Sequence, residues 1–506
     1  MRIKNSFKNI LASTSANIIS ILVGLFVQSL FLKIMGKEYL GLNGLFANII
    51  SMLGIVELGI GNAIIYSLYN PISKNDYDTI NSLMYFYKKC YHVIGFIILI
   101  IGVFLFPFLS VFVGKNSLEI NIYIVFSLFL LDSVFSYFLS YKRSILYANQ
   151  KIYIINIIHI VYIIITNFLQ ILFLFIYKNF YLYLIIKLVM RIIENMIITL
   201  VANHMFPYLL NKKDIKLNKN IENDIIKKIK ALFFHQIGSF IVNGTDNIII
   251  SKFLGLATVG LYANYYLVIN SIQTIVRQFI QAMTPSIGNL LVTESRSKQF
   301  DVFKKIRFLN FVITSICGVC LFILMDSFIS IWIGSNYILS KVVLLVLVIN
   351  FYQKTSRETY ASFKTAAGIF YEDRFVPLIE SILNIVISII GVKLFGLVGV
   401  FIGTLFSGFA LWFYSYPKFV YKKLFNKNYK NYILETFCYI FLFLIILSCT
   451  YFFTALFSFS NLLIDLCIKC VLSILFTIVI IIIIFFKTDN FKYYLRIIKS
   501  IILLKK

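Results

Sequence analysis

Charged residues are scarce in this 506-residue chain, 13 % in all, and acids are scarcer still, 21 Asp and Glu against 47 Lys and Arg. Water-soluble domains draw about a quarter of their residues from the charged set, so a soluble globular protein is excluded. Proline is nearly absent, with six residues, which leaves long stretches free of helix breakers. Seven cysteines fall mostly within apolar runs and define no disulfide framework. The pairs Cys317/Cys320 and Cys467/Cys470 have CxxC spacing, but no further Cys or His stands at ligand distance, so packing as small hydrophobes outweighs metal or redox chemistry. The four histidines are scattered, His92, His204 and His235 near the ends of apolar runs and His159 inside one. HExxH, GxSxG and Walker motifs are missing and external turns are short. That speaks against a membrane enzyme such as a polysaccharide polymerase or a lipid-linked glycosyltransferase.

What fills the chain is apolar: 60 % of residues are hydrophobic, in runs long enough to cross a bilayer from end to end. Fourteen spans are expected, near 9–32, 42–66, 90–113, 120–140, 152–176, 180–202, 231–251, 260–283, 308–333, 341–362, 375–392, 396–416, 432–455 and 462–486. The first is too long for the apolar stretch of a signal peptide and reads as an uncleaved helix. The net charge of +26 is distributed by side: the segments 1–8, 67–89, 141–151, 203–230, 284–307, 363–374, 417–431 and 487–506 hold 34 of the Lys and Arg, and the opposite turns hold seven. By the positive-inside rule both termini are cytoplasmic, which an even number of spans satisfies. This placement points to a membrane rather than to nucleic acid as the reason for the basic balance, and part of the basic tail suits anionic lipid.

Two stretches 219 residues apart are near copies. KIMGKEYLGL at 33–42 and KFLGLATVGL at 252–261 share Lys, two Gly and the final Leu in register. Each is a short polar turn between two apolar runs, so the halves are parallel repeats, as in transporters. SYKRSIL at 140–146 and SFKTAAG at 362–368 repeat with nearly the same offset. Between the halves lies NKKDIKLNKNIENDIIKKIK at 211–230, with seven lysines, three acids and a spaced set of isoleucines, either an amphipathic helix on the inner leaflet or a solvated basic linker. The expected fold is an all-α polytopic membrane protein of two parallel six-helix bundles, 1–206 and 231–420, joined by a basic linker at 207–230 and followed at 421–506 by two extra transmembrane helices and a basic tail.

Polar residues inside the spans fall on single helix faces, as in Asn156, His159, Thr166, Asn167 and Gln170, or Lys187, Arg191, Glu194 and Asn195. The same holds for Asn270, Gln273, Arg277 and Gln281 and for Gln236, Ser239, Asn243 and Asp246. Interhelical hydrogen bonding explains any single Asn or Ser; together the stripes outline a hydrated cavity. Charge inside the membrane is costly and marks function more strongly. Arg191, Arg277, Lys354 and Arg357 lie within spans, with Lys142 and Arg143 at the end of the fourth. Arg191 has Glu194 three residues on and Arg357 has Glu358 beside it, whereas Arg277 has no acid within one turn, making it the leading candidate to grip an anion. For Lys142 and Arg143 anchoring at the interface is the simpler reading. The embedded acids Glu57, Asp132, Asp246 and Asp326 are candidates for ion coupling; Glu57 stands among Gly54, Gly59 and Gly61, which loosen its helix into a candidate hinge.

The strings KIMGKEYLGLNGLFANIISMLGIVELGIGNAIIYSLY at 33–69, YKRSILYANQKIY at 141–153, TDNIIISKFLGLATVGLYANYY at 245–266 and KLFGLVGVFIGTLFSG at 393–408 resemble the polysaccharide-transporter (Wzx-type) flippases. These belong to the multidrug, oligosaccharidyl-lipid and polysaccharide exporter superfamily, whose fold is MATE-like. The resemblance implies a flippase of undecaprenyl-diphosphate-linked oligosaccharide in the bacterial plasma membrane, working by alternating access without a cofactor, driven by a proton or sodium gradient and serving a polysaccharide polymerase and glycosyltransferases. Arg277, Arg191, Lys354, Arg357, Lys142, Arg143, Gln273, Gln281 and Asn243 are then the candidate cargo contacts, and Glu57, Asp246, Asp132, Gly59 and Gly61 the candidate coupling and hinge positions. Related lipid II flippases carry cations in their first two helices; this chain has none from Asn9 to Leu32 and offers Glu57 instead. The competing reading within the superfamily is an ion-coupled multidrug exporter, whose cavity would be dominated by acids and aromatics.

Overall fold

A backbone crossing lipid must satisfy its own hydrogen bonds, and this chain does so with helices. The computed structural model describes residues 2–57, 60–114, 118–149, 151–210, 244–369, 372–373 and 375–503, and no strand occurs among them. The basic linker therefore lies outside the described residues. Nine of the described helices are long and apolar enough to cross a membrane. Of the other expected spans, 42–66 and 341–362 fall on interrupted helices, 180–202 and 260–283 on helices that carry charge, and 231–251 lies mostly outside the described residues. The packing separates two units, Met1–Ala263 and Asn264–Lys506.

In the first unit α1 (Arg2–Met35) ends at Gly36, whose φ of 86° is open to glycine and turns the chain into α2 (Lys37–Leu53). A 3₁₀ turn, Gly54–Glu57, then breaks the span before α3 (Ile60–Lys74). Next come α4 (Tyr77–Phe104), the short α5 (Leu109–Val113), α6 (Ile122–Ser140), the short α7 (Arg143–Ala148), α8 (Ile152–Tyr177) and α9 (Phe180–Met205). α1 packs on α8, α8 on α9, α9 on α6 and α6 on α4. Asp76, Asn121 and Asn179 cap α4, α6 and α9 by accepting backbone N–H groups. The side-chain hydrogen bond from Thr79 holds the Asp76 carboxyl below its ordinary range, so this cap is lost only as pH falls through that lowered value.

The duplicated motif meets itself. The helical segment α10 (244–254) leads into α11 (Leu256–Gln281). There a side chain added at Gly41 would lie 2.0 Å from the Leu256 carbonyl oxygen, and one added at Gly260 2.0 Å from that of Lys37. The two helix starts thus cross backbone to backbone, a contact only small residues permit, and this holds residues 244–263 within the first unit.

The second unit continues α11 into α12 (Thr284–Thr293) and α13 (Arg296–Trp332). At 37 residues α13 is about 55 Å long and overreaches a bilayer core of about 30 Å. α14 (Lys341–Ser356) and α15 (Glu358–Ala366) follow, then the tight hairpin of α16 (Val376–Phe395) and α17 (Leu397–Ser407). Wide π turns at Leu411–Ser415 and Pro417–Leu424 precede the hairpin α18 (Tyr429–Ala455) and α19 (Leu462–Phe485), which packs on α13. The chain closes on α20 (Asp489–Leu503), anchored where Tyr494 donates to the Lys305 carbonyl at 3.1 Å. Phe104, Phe168, Phe452 and Ile483 are 66–75 % exposed, a surface suited to acyl chains rather than water.

Candidate functional site

The 3₁₀ break in the first unit opens a cavity of about 720 Å³. It exists because Gly54–Glu57 gives up the regular helix there, and because Gly61 brings no side chain where a Cβ would approach the Tyr87 hydroxyl at 3.1 Å and the Tyr91 hydroxyl at 3.4 Å. Glu57 lines it and accepts a short hydrogen bond from Tyr91, with the Tyr137 hydroxyl also donating to the carboxylate. Tyr87 packs edge-on against Tyr91 at 4.3 Å, and Tyr91 lies 5.8 Å from Tyr137. One face of α6 supplies Ser133, Ser136 and Ser140 at helical spacing, with Asp132 beside them. Among the described residues these three hydroxyls have no protein partner.

An ion-pair ladder joins α7, α8, α9 and α6, and its Asp132, Arg143 and Arg191 line the cavity. Glu194, its side chain fully buried, receives Arg191 Nη1 at 2.9 Å, Arg143 Nη2 at 3.2 Å and the His159 ring at 2.8 Å. Asp132 faces Lys187 at 3.4 Å and Arg191 Nε at 3.7 Å. Arg143 also donates to Asn195 at 2.9 Å, and Arg191 lies over the Tyr162 ring. Lys142 bonds Asn203 instead. The expected pairing of Arg191 with Glu194 is present, and Arg143, read as an interfacial anchor, lines the cavity. Asp246 is buried on α10, while Gly59 and Asn243 lie outside the described residues.

In the second unit Arg277 is half-buried and donates to Thr274 at 3.4 Å. Glu358, on α15, lies within electrostatic range of both Arg277 and Arg357 and accepts a hydrogen bond from Gln281. Arg277 thus lacks an acid on its own helix but finds one across the bundle. Arg357 pairs with Glu380 at 3.3 Å and donates to the Gly408 carbonyl at 3.2 Å. Lys354 is half-buried on α14, Gln273 half-buried on α11, and Asp326 pairs with Lys341 at 2.9 Å.

Several residues escaped the sequence reading. The tyrosines around Glu57 come from α4 and α6, distant in sequence; the step of four between Tyr87 and Tyr91, and of three and four among the serines of α6, was their one available signal. Arg307 is another. Counted with the loop cations, it is buried on α13 against Glu435 at 2.5 Å, the Tyr421 hydroxyl at 2.5 Å and the Tyr439 ring, and so fastens the C-terminal hairpin to its bundle.

Solved structures share this helical membrane fold. The chain is similar to the lipid II flippase MurJ in an inward closed conformation, at 16 % identity over 94 % of this chain and 99 % of that one, with a TM-score of 0.70. It is similar to an inward-facing multidrug resistance MATE family transporter of the MOP superfamily, at 13 % identity over 79 % and 94 % of the two chains, with a TM-score of 0.62. The Vibrio cholerae MATE transporter VcmN in its bent form matches at 14 % identity over 82 % and 97 %, with a TM-score of 0.53. No curated protein matches the sequence. The model of the family described as polysaccharide biosynthesis protein matches residues 6–291, more than half of the chain. The chain belongs to that family, and its fold is the multi-pass, all-helical membrane fold of about fourteen spans shared with those structures.

Proposed function

We propose that this protein is a flippase that carries undecaprenyl-diphosphate-linked oligosaccharide from the inner to the outer leaflet of the bacterial plasma membrane, with both termini cytoplasmic, to supply capsule, exopolysaccharide or teichoic acid synthesis. The observation that carries this is the hydroxyl-lined cavity of about 720 Å³, within the size of sites that enclose ligands of a few rings. Serine and tyrosine hydroxyls bond sugars, and the polyprenyl tail stays in lipid throughout. Arg277 is the candidate for the diphosphate, since a guanidinium fork matches phosphate oxygens; binding would draw it from Glu358. Glu57, caged by tyrosines at the helix break, and Asp246 are the candidates for coupling to a proton or sodium gradient. The polymerase and glycosyltransferases of the polymer are the expected partners.

One observation favours a second reading. The cavity's tyrosines and the acids Glu57 and Asp132 are features an ion-coupled multidrug exporter would use. Arg143 and Arg191 face the same space and oppose a lipophilic cation. Proteoliposomes distinguish the two: an ion gradient should expose lipid-linked oligosaccharide to an impermeant sugar oxidant in protein-containing vesicles alone. Ethidium extrusion without oligosaccharide exposure would establish the exporter instead.

A further inference from the structure

We propose that the saccharide accepted by the first unit's cavity is uncharged, so that the cargo's negative charge is confined to its diphosphate; this rests on the flippase reading above. The argument begins from the cations. Arg143 and Arg191 line the cavity, yet both are bound to Glu194, and Arg191 together with Lys187 also faces Asp132. Both arginines hold a carboxylate whether or not Glu57 carries a proton, with Arg143 Nε alone buried without a partner among the described residues. Glu194 has no exposed side-chain surface, so an entering carboxylate cannot simply exchange with it. Displacing Glu194 would leave a buried, unpaired charge, which costs more than a surface pair returns. Leaving it in place would set a uronate against Asp132 and Glu57 in a medium of low dielectric, where like charges repel strongly.

What the cavity offers freely is neutral. Ser133, Ser136 and Ser140 project hydroxyls without protein partners among the described residues, Tyr147 adds a phenol, and Tyr87 and Tyr137, whose hydroxyls are taken by Tyr91 and Glu57, add ring faces. Each hydroxyl both donates and accepts, as a sugar hydroxyl does, so a hexose or N-acetylhexosamine finds complementary partners without desolvating a charge. The ion-pair ladder is then a wall that holds α6, α7, α8 and α9 in place and screens out acidic rings, while hydroxyls make the contacts.

The full-length protein in detergent, probed by native mass spectrometry, tests this with three compounds: farnesyl diphosphate, the same lipid bearing a neutral hexose–N-acetylhexosamine disaccharide, and the disaccharide with its hexose oxidised to the uronate. The neutral compound should bind at least about tenfold more tightly than the uronate, a difference of about 1.4 kcal/mol. Asp132→Asn, which frees Lys187 and Arg191 from one carboxylate, should narrow that gap in protein that remains monodisperse. Equal or tighter binding of the uronate by the unaltered protein overturns the inference and leaves the flippase reading standing, and a gap unchanged in Asp132→Asn removes its assignment to this cavity. Neither disaccharide binding better than farnesyl diphosphate alone overturns both.

Discussion

Glu194 shows how a buried charge becomes structural. It is the common acceptor of Arg143, Arg191 and His159, so Glu194→Gln leaves Arg143 without its carboxylate and Arg191 with Asp132 alone. Breaking a buried pair from one side costs about 3–5 kcal/mol, and the expected outcome is a lower unfolding temperature in detergent together with reduced membrane abundance. Glu57 should behave differently, because Tyr91 and Tyr137 share its carboxylate and no cation among the described residues is paired with it. Glu57→Gln should fold normally, slow transport and flatten its dependence on pH or sodium; retention of that dependence here and in Asp246→Asn would take both acids out of coupling. For Arg277 the neighbour Glu358 supplies the control. If Arg277 receives diphosphate, Arg277→Ala loses transport at normal abundance and Arg277→Lys recovers part of it; if the pair is structural, Arg277→Ala loses abundance and Glu358→Gln restores it. The sequence made Glu57, Arg191 and Arg277 visible as charges within apolar runs. It could not show Tyr91, Arg143 or Arg307 in their roles, because their partners lie tens of residues away and are joined only by packing.

At the scale of helices, the duplicated motif has a mechanical meaning beyond ancestry. Gly41 and Gly260 each press against the other's helix backbone, so Gly41→Val or Gly260→Val must force the starts of α2 and α11 apart. Either substitution should abolish surface-polymer rescue, and the double variant should cost less than the sum of the two singles, because both disrupt one contact. Gly255, with a φ of 85° and nothing near its absent Cβ, is the control: Gly255→Ala should cost about 1–2 kcal/mol of backbone strain and keep transport. The repeat was legible because both glycines and both flanking apolar runs survive in register. The break at Gly54–Glu57 was legible from Gly54, Gly59 and Gly61, but the cavity it opens was not, since its walls are built by α4, α6, α7 and α9.

Across the whole molecule, the fourteen expected spans and a one-sided distribution of cations predict one topology, with both termini cytoplasmic. Cysteines introduced at Gly114 and Ser335 should react with an impermeant thiol reagent from outside, while those at Asn218 and Asn426 should not; the reverse pattern would invert the protein. Membership of the polysaccharide biosynthesis protein family and a hydroxyl-lined cavity are the grounds for the proposed transfer of lipid-linked sugar. The most direct measurement is deletion of the gene, with surface polysaccharide and lipid-linked repeat units quantified on each side of the membrane. The account predicts that the polymer disappears while its lipid-linked units accumulate on the cytoplasmic face, and that the intact gene reverses both changes. Unaltered surface polymer, with susceptibility to cationic drugs as the sole change, would contradict it.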